Sequence, residues 1–420
     1  MKICILTTGH PALDGRIFYK EALSLRKVYD DITLIVPDDC GERMEHGIRI
    51  IGVGDPRKIY SIKERFKMAG SIVDKAIEIK ADVYHFHDYE LIFKVGKIKR
   101  KLPNCKLIYD VHEHYPDMMR RSRKFPNIIK PLLVFAVDKL ELHYAKKFDQ
   151  IITADDATKE RFKPYNKRVD IIYNFTEFKP EAEEETKGSE TKGSETKGSE
   201  NMPTPESLSE STPNPDEGVS NPSSSKEKEY DLIYQGDITL ERGVYHVVQA
   251  IGILREKYPD IKMVFVGAFN DTLGKEIVDR YIAENNLQDH IEFTGRVPHS
   301  EVEHYIRKSK IGLVTLMPVP KFYKNIPTKQ FEYMSCGLPV VGSNLPPIRR
   351  FLTPYNSGIV VDPTKPEEIA KAIGILLSDP RLCEEMGQNG IKAVREEYNW
   401  GKMEELLLKI YNRLENHLEQ

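Results

Sequence analysis

Residues 324–344 read KNIPTKQFEYMSCGLPVVGSN and join a short helical pattern to the strand that follows it. Pro327 and Thr328 precede the helical pattern, and Gly337 ends it before the apolar run LPVV. Threonine is a residue type that caps helices, and glycine commonly ends them. A short helix joined directly to a valine-rich strand is typical of a parallel α/β sheet. Within this pattern Glu332 stands out as an acid inside an otherwise apolar turn.

Strand and helix patterns alternate along the chain on both sides of this stretch. In residues 1–177, strands such as KICILTT and DITLIVP are separated by helical patterns such as RIFYKEALSLRKV. The same alternation returns in residues 230–400 with YDLIYQGD, IKMVFVG and SGIVVD. It indicates parallel, doubly wound sheets. We therefore predict an α/β fold of two Rossmann-like domains that face each other across a cleft, with ligands at the carboxyl ends of the strands.

The composition changes abruptly in residues 178–229. Three tandem copies of TKGSE are followed there by a tract rich in proline, serine, asparagine and glutamate. Such a tract cannot bury enough apolar surface to offset its conformational entropy, so we predict a low-complexity, disordered linker. After the second domain, residues 401–420 form a final helical pattern that could cross back to the first domain.

The bulk composition excludes several classes of protein. Apolar residues make up 40% of the 420 residues and charged residues 30%, as in globular proteins, and the net charge of −3 gives no general attraction to nucleic acid. The five cysteines are scattered and lack the spacing of a zinc site or a disulfide framework, which favours a cytoplasmic location. The sequence shows neither a secretory signal pattern nor a run of about 18 apolar residues.

The pattern K-x2-E-Y-M-x-C-G-x-P-V-V in residues 329–341 resembles the nucleotide-sugar-dependent glycosyltransferases of family four, which have the GT-B fold. The resemblance covers nearly the whole chain apart from the linker. It implies a retaining enzyme that moves a sugar from a nucleoside-diphosphate sugar to a saccharide or lipid-linked acceptor, in the synthesis of cell-surface polysaccharide or glycoconjugates. It also implies that the transfer needs no cofactor and no metal.

The resemblance assigns a role to Glu332 at the donor ribose. An ionised carboxylate can accept hydrogen bonds from both hydroxyls of a vicinal diol. The alternative is an ordinary solvent-facing glutamate of a helix. Arg242 and Lys329 are expected to hold the donor diphosphate, together with Thr328 at the start of the helix and Gly236 in the loop of YQGDITLERGVYHVV.

Three further residues complete the expected donor side and the transfer site. Arg296 and Val297, in the sequence FTGRVP, are expected to lie beside the nucleotide base, mostly through their backbone. His112 occupies the position where the family has a histidine near the transferred sugar. By the resemblance, His112, Arg242 and Lys329 are the groups expected to act directly on the reaction.

Two positions depart from the family pattern. Many members carry a second acid eight residues before the glutamate, and Lys324 occupies that position here. The family also has an arginine directly after the first glycine of the donor loop, where this chain has Asp237. These departures favour one alternative, a module that binds a nucleotide sugar without transferring it. An epimerase or phosphorylase acting on related sugars is the nearest alternative within the same fold.

In the first domain, polar residues follow several predicted strands. Gly9, Asp14 and Arg16, in TTGHPALDGRIFYKEA, and His87 with Asp88, in YHFHDYEL, are expected on the acceptor side of the cleft. Arg16 could instead pair with a neighbouring acid. Alternation places His85 and His87 on one face of a strand, so a metal site is conceivable, although no clear third ligand accompanies them. We predict no bound metal.

Basic residues cluster in KVGKIKRKLPNCK and MMRRSRKFPNIIK of the first domain. A basic, partly amphipathic surface can hold a protein against anionic lipid. The alternative is an ordinary solvated face. If the acceptor is lipid-linked, we expect peripheral contact with the inner face of the membrane at this surface.

Overall fold

The computed structural model describes residues 1–178 and 228–418, apart from residues 56, 57, 59, 123 and 124. The predicted linker therefore lies almost entirely outside the described residues. The described residues form one eight-stranded and one six-stranded sheet, each flanked by helices. This arrangement confirms the predicted α/β fold with two Rossmann-like domains.

The first sheet has the strand order β3-β4-β2-β1-β5-β6-β7-β8. Its strands are β1 (Lys2–Leu6), β2 (Asp31–Val36), β3 (Glu42–Glu45), β4 (Ile48–Gly52), β5 (Val83–Phe86), β6 (Lys106–Val111), β7 (Gln150–Thr153) and β8 (Val169–Ile171). The pairing is parallel except between β3 and β4. That hairpin turns through His46 and Gly47, both with positive φ, and the strand-helix reading of the sequence did not predict it.

The helices of the first domain cover both faces of this sheet. They are α1 (Leu23–Arg26), which continues a π-helical turn (Ile17–Ala22), α2 (Ile62–Ile79), α3 (Gly96–Lys101), α4 (Tyr115–Arg121), α5 (Lys130–Ala145) and α6 (Asp156–Phe162). Strands β5 and β7 are buried over their whole length, and β1 and β6 are buried apart from their first residue, because helices pack on both sides of the sheet. Polar side chains at their carboxyl ends are therefore held in a rigid frame.

The second sheet is entirely parallel, in the order β11-β10-β9-β12-β13-β14. Its strands are β9 (Tyr230–Gln235), β10 (Met263–Val266), β11 (Ile291–Gly295), β12 (Ser309–Val314), β13 (Val340–Ser343) and β14 (Gly358–Val361). The helices that follow are α7 (Val244–Leu254), α8 (Thr272–Glu284), α9 (His299–Arg307), α10 (Lys329–Ser335), α11 (Pro346–Leu352), α12 (Pro366–Ser378), α13 (Pro380–Glu396) and α14 (Trp400–Asn416). None of the helices in the described ranges is both long and apolar enough to cross a bilayer.

Helix α14 follows the second domain in the chain but packs against the first. The indole Nε1 of Trp400 donates to Ser24 Oγ at 2.9 Å, and the Tyr411 hydroxyl lies 2.9 Å from His85 Nδ1. Tyr411 and His85 are both fully buried. The last helix therefore forms part of the first domain's core.

An aromatic cluster also joins the two domains. The ring of Phe175, from the end of the first domain, lies 4.7 Å from Phe331, 5.9 Å from Phe351 and 5.7 Å from Tyr398, measured between centroids. All four side chains are buried. Aromatic rings of this size bury enough apolar area to dominate the energetics of such an interface.

We expect Tyr411→Phe to lower the free energy of unfolding by about 1–3 kcal/mol, since it leaves a buried imidazole nitrogen without its partner. Urea denaturation measures this change. Tyr19→Phe is the matched control, because Tyr19 is 46% exposed. Equal stability of the two variants would contradict the role given to the Tyr411 hydroxyl.

Candidate functional site

The carboxyl edge of the second sheet is lined by three glycines. Gly295 ends β11, whereas Gly267 and Gly236 directly follow β10 and β9. Their φ angles are +72°, +152° and +107°, in the region that favours glycine. A Cβ atom on Gly267 would lie 2.0 Å from the carbonyl oxygen of Gly236, so a side chain cannot be accommodated there. The absence of side chains at these three positions lets a ligand approach the backbone closely.

Lys329 starts α10 beside this glycine edge. Its side chain is 5% exposed, and Nζ lies 3.6 Å from the centroid of the Tyr234 ring. Among the described residues Nζ has no hydrogen-bond partner. Burial, together with repulsion from Arg242, lowers the pKa of Lys329 well below its usual value. A buried amine in this state gains strongly from an anion placed next to it.

Arg242 is the second cation of the site. It ends the short helical turn Leu240–Arg242, and its Nη2 lies 3.8 Å from Asp237 Oδ2. Asp237 also accepts a hydrogen bond of 2.8 Å from Asn270 Nδ2. Because Asp237 stands where the family has an arginine, it replaces one cation and partly neutralises another. Lys329 is therefore the less compensated of the two positive groups.

Glu332 lies one turn beyond Lys329 on α10 and is half-buried. Its carboxylate accepts a hydrogen bond from Gln235 Nε2, at the end of β9. Burial and repulsion from Arg16 lower the pKa of Lys20, in the first domain, to about 8. Glu332 is close enough to Lys20 to act in the opposite direction and raise that pKa. Gln235, Tyr234 and Lys20 were not predicted, although Gln235 and Tyr234 directly precede the glycine that marked the donor loop.

The remaining donor-side residues lie at the same edge. Thr328 occupies the position before α10, but the prediction that it caps the helix is wrong. Its ψ of −32° is helical, whereas a capping oxygen reaches the first-turn amides from an extended residue. Arg296 is exposed and Val297 half-buried, directly after Gly295. Gly337 has a φ of +73° and ends α10 as predicted.

On the first-domain side, Asp88 organises the loop after β1. Its Oδ2 accepts hydrogen bonds from Thr7 Oγ1 at 2.6 Å and from the amides of Thr8 and Gly9 at 2.7 and 3.2 Å. Its Oδ1 pairs with Arg65 at 3.0 Å. A Cβ atom on Gly9 would lie 2.7 Å from Asp88 Oδ1. Asp88 is therefore a buried support of the loop, and its expected place on the acceptor side of the cleft stays a prediction.

Asp14 and Arg16 also have structural partners. Asp14 Oδ1 accepts hydrogen bonds from the amides of Arg16 and Ile17 at 2.8 and 2.9 Å, at the start of the π-helical turn. These bonds and one to His10 outweigh burial and hold the pKa of Asp14 below its usual range. Arg16 is 6% exposed and pairs with Glu21 at 2.8 Å and Asp110 at 3.2 Å. The alternative for Arg16, pairing with a neighbouring acid, is therefore confirmed, and its place on the acceptor side of the cleft stays a prediction.

His112 lies at the end of β6, at the edge of a buried polar network. Its Nε2 is 3.2 Å from Asp110 Oδ2 and 3.1 Å from His87 Nδ1. Burial lowers the pKa of His112 although Asp110 raises it, and burial lowers that of His87 much further. His112 keeps 13% of its side chain exposed, whereas His87 is fully buried. Only His112 of this pair can meet a ligand directly.

The rings of His85 and His87 lie on one face of β5, as predicted, and stack at 4.6 Å. Together with Glu21 and Asp110 they bring four possible metal-ligand atoms within 4.8 Å of one another. Both carboxylates already pair with Arg16. Burial and the Asp110 carboxylate raise the pKa of Glu21 well above its usual value. The guanidinium of Arg16 thus supplies the positive charge between these two carboxylates.

Lys324 has a partner in the opposite domain. Its Nζ lies 2.7 Å from Oδ2 of Asp117, on α4. Asp117 also pairs with His114 at 3.0 Å and with Arg120. Burial raises the pKa of Asp117, but Lys324 and the neighbouring cations outweigh it and lower that pKa. The lysine at the expected acid position thus forms an ion pair between the domains.

Residues 15–178 match the family model described as Glycosyltransferase Family 4, and residues 217–393 match the one described as Glycosyl transferases group 1. The chain belongs to glycosyltransferase family 4. Among the curated relatives of this family-4 chain, it is 26% identical to the alpha-D-kanosaminyltransferase of Streptomyces kanamyceticus, over 44% of this chain and 45% of that protein. It is 25% identical to the D-inositol 3-phosphate glycosyltransferase of Paenarthrobacter aurescens, over 43% of each. The chain spans less than half the length of the curated relatives it matches.

Solved structures show the same fold as this family-4 chain over nearly its full length. The sucrose-phosphate synthase of Thermosynechococcus elongatus superposes with a TM-score of 0.68 and 16% identity, covering 99% of both chains. Anabaena Alr3699/HepE, in complex with UDP, has a TM-score of 0.66 and 13% identity, covering 98% of this chain and 100% of the other. The fold of the family-4 chain is therefore GT-B, as predicted.

For this family-4 chain, a double-mutant cycle tests the ion pair between the domains. We expect Lys324→Ala and Asp117→Ala to be coupled by about 0.5–1 kcal/mol in the free energy of unfolding, because Asp117 is 9% exposed and Lys324 33%. The control cycle pairs Lys324→Ala with Asp74→Ala, a surface acid of the first domain that pairs with Lys97. Coupling equal to that of the control would mean that the cross-domain contact contributes nothing.

Proposed function

We propose that this chain transfers a glycosyl group, with retention, from a nucleoside-diphosphate sugar to a saccharide or lipid-linked acceptor. The synthesis of cell-surface polysaccharide or glycoconjugates and a cytoplasmic location are parts of the same proposal. The curated relatives named above are glycosyltransferases, and solved structures of HepE hold UDP, UDP-glucose, or UDP and glucose. These relatives support a nucleotide-sugar donor and a saccharide acceptor for this chain.

One observation carries the proposal: the buried amine of Lys329 lies beside the glycine edge and has no hydrogen-bond partner in the part of the chain that the structure describes. A Cβ atom on Gly236 would lie 3.4 Å from Lys329 Nζ, so the amine and the bare backbone of the donor loop adjoin. An anion placed between them would meet Lys329 and the loop together, with Arg242 close by. A diphosphate has the charge and the size for this position.

Transfer from such a donor passes through an oxocarbenium-like transition state while negative charge grows on the departing diphosphate. Cations fixed before the reaction stabilise that charge without having to reorganise. In this proposal Lys329 and Arg242 are these cations. Half-buried Glu332, one turn further along α10, accepts hydrogen bonds from the ribose hydroxyls, and Gln235 holds its carboxylate in place.

His112 is the first-domain group proposed to face the transferred sugar. Its lowered pKa keeps the imidazole neutral near pH 7, so it can exchange hydrogen bonds with sugar hydroxyls without adding charge. In the retaining reaction proposed, the acceptor attacks from the side of the leaving group, and the diphosphate takes its proton. This scheme assigns no protein residue as a general base.

A panel of nucleotide sugars, each with and without saccharide or lipid-linked acceptors, tests the reaction. We expect release of nucleoside diphosphate that depends on the acceptor, for one donor. Interconversion of the donor without any acceptor would indicate an epimerase, and release of a sugar phosphate with inorganic phosphate would indicate a phosphorylase. Binding without turnover in every combination would indicate a module that only binds the donor.

Substitutions at the two residues of α10 test the donor site. We expect Lys329→Met, which keeps the buried volume, and Glu332→Gln, which keeps the shape, each to lower turnover at least tenfold, or about 1.4 kcal/mol in the barrier. Glu368→Gln, at an exposed ion pair of α12, is the control and keeps the wild-type rate. Wild-type kinetics in both α10 variants, with normal folding, would rule out the assignment.

The lowered pKa of Lys329 predicts how donor binding depends on pH. A bound diphosphate raises that pKa, so binding takes up a proton at any pH between the two values, and affinity falls as pH rises through that range. Titration calorimetry in buffers with different ionisation enthalpies measures the uptake. Above about pH 7.5 the phosphate itself no longer contributes to the proton uptake, since its second pKa is near 6.

The Lys329→Met variant serves as the control for this measurement. We expect the part of the uptake that belongs to Lys329 to disappear in it, whereas a contribution from Lys20, whose pKa is about 8, persists. Equal uptake in both proteins would assign the proton to a group other than Lys329.

A further inference from the structure

The start of helix α5 presents large apolar side chains to solvent. Ile128, in the turn before the helix, is 89% exposed, Leu132 is 71% exposed and Phe135 is 60% exposed. Ile129 beside them is 41% exposed. These four residues are called the α5 face below. Scattered single apolar residues are normal on a surface, but a contiguous group of this kind marks a contact site.

Helix α5 is apolar on both of its sides. Its inner side is buried in the first domain, through Leu142 and Ala145. Leu132, Phe135 and Lys139 follow one another at spacings of three and four residues, so they share the outer side. The inner packing already holds the helix in place, and the outer apolar side chains add nothing to the core. Their apolar character therefore needs another explanation.

The charges around the α5 face are strongly one-sided. From Met118 to Leu140 the sequence contains a single acid, Asp138, and six basic residues, Arg120, Arg121, Arg123, Lys124, Lys130 and Lys139, of which Arg123 and Lys124 lie outside the described residues. Arg161 binds Asp138 through two hydrogen bonds of 2.8 and 3.0 Å, and it also pairs with Glu141 at 2.7 Å. Lys139 Nζ lies 5.5 Å from the centroid of the Phe135 ring. The sequence around the exposed ring and aliphatic chains thus carries more positive than negative charge, and Lys139 lies beside the ring itself.

The α5 face adjoins the mouth of the cleft. Helix α4 packs on α5 and carries both Asp117, which pairs with Lys324 of the second domain, and the adjacent Met118, which is 43% exposed. A surface that covers the α5 face would therefore lie close to the point where the two domains meet. That position suits an acceptor held in the same surface.

We propose that the α5 face docks on an anionic lipid bilayer. Apolar side chains that enter the boundary between headgroups and acyl chains, surrounded by lysine and arginine, match the chemistry of such a surface. Each well-placed cation adds attraction to anionic headgroups. Docking presents a lipid-linked acceptor to the cleft, and this last step, unlike the docking, rests on the proposed glycosyl transfer.

Vesicle co-sedimentation of the full chain tests the docking without any nucleotide. One set of vesicles is phosphatidylcholine alone, and the other contains phosphatidylglycerol as well. We expect binding to the second set that weakens with salt, and at least about tenfold weaker binding for Leu132→Ser/Phe135→Ser. The matched control is Val28→Ser/Leu273→Ser, which replaces two apolar side chains that are 58% and 66% exposed elsewhere.

The outcomes separate the alternatives. We also expect the control variant to bind the vesicles with wild-type affinity. Both variants should keep the wild-type melting temperature and the wild-type binding of nucleoside diphosphate. The proposal would be overturned if the wild-type protein did not bind the vesicles, or if it bound neutral and anionic vesicles equally. It would also be overturned if the control variant lost as much binding as Leu132→Ser/Phe135→Ser. A wild-type dimer that Leu132→Ser/Phe135→Ser converts to a monomer would overturn it as well, since the α5 face would then join two copies of the chain. Failure of sugar transfer would leave the vesicle result unaffected.

Discussion

The contact of Phe331 with Phe175 fixes the position of the donor-side helix relative to the first domain. Phe331 also packs on Phe351 at 5.0 Å and on Tyr398 at 5.8 Å, so it is enclosed by rings from several elements. Lys329 and Glu332 lie on either side of it in the sequence of α10. Lys20 donates to the carbonyl oxygen of Phe175 at 2.6 Å. One aromatic contact thus aligns charged groups from both domains.

The cations around the cleft differ in how far their charge is already balanced. Arg16 is buried between Glu21 and Asp110 and holds the first domain together. Arg242 shares Asp237, and Lys324 is paired across the cleft. Lys329, within the described part of the chain, is buried without a hydrogen-bond partner. The unequal compensation singles out Lys329 as the group with most to gain from an anionic ligand, because burial makes its charged form costly.

The sequence predicted the parts of the structure that depend on local patterns. Buried strands, the glycine that ends α10 and the shared face of His85 and His87 follow from hydrophobic runs, backbone conformation and alternation. The sequence did not predict the ion pairs that form between residues far apart in the chain. Asp117 pairs with Lys324, 207 residues further along the chain, and Asp110 pairs with Arg16 across 94 residues. No local pattern shows which acid a given cation will meet.

The return of α14 to the first domain changes what the connection between the domains has to do. Trp400 and Tyr411 hold the carboxyl-terminal helix in the core of the first domain, and Arg413 pairs with Asp170 of β8. A peptide bond cleaved between residues 179 and 227 would therefore leave two fragments that each contain part of the same core. We expect such fragments to remain associated without a covalent link, because the core that they share needs both of them.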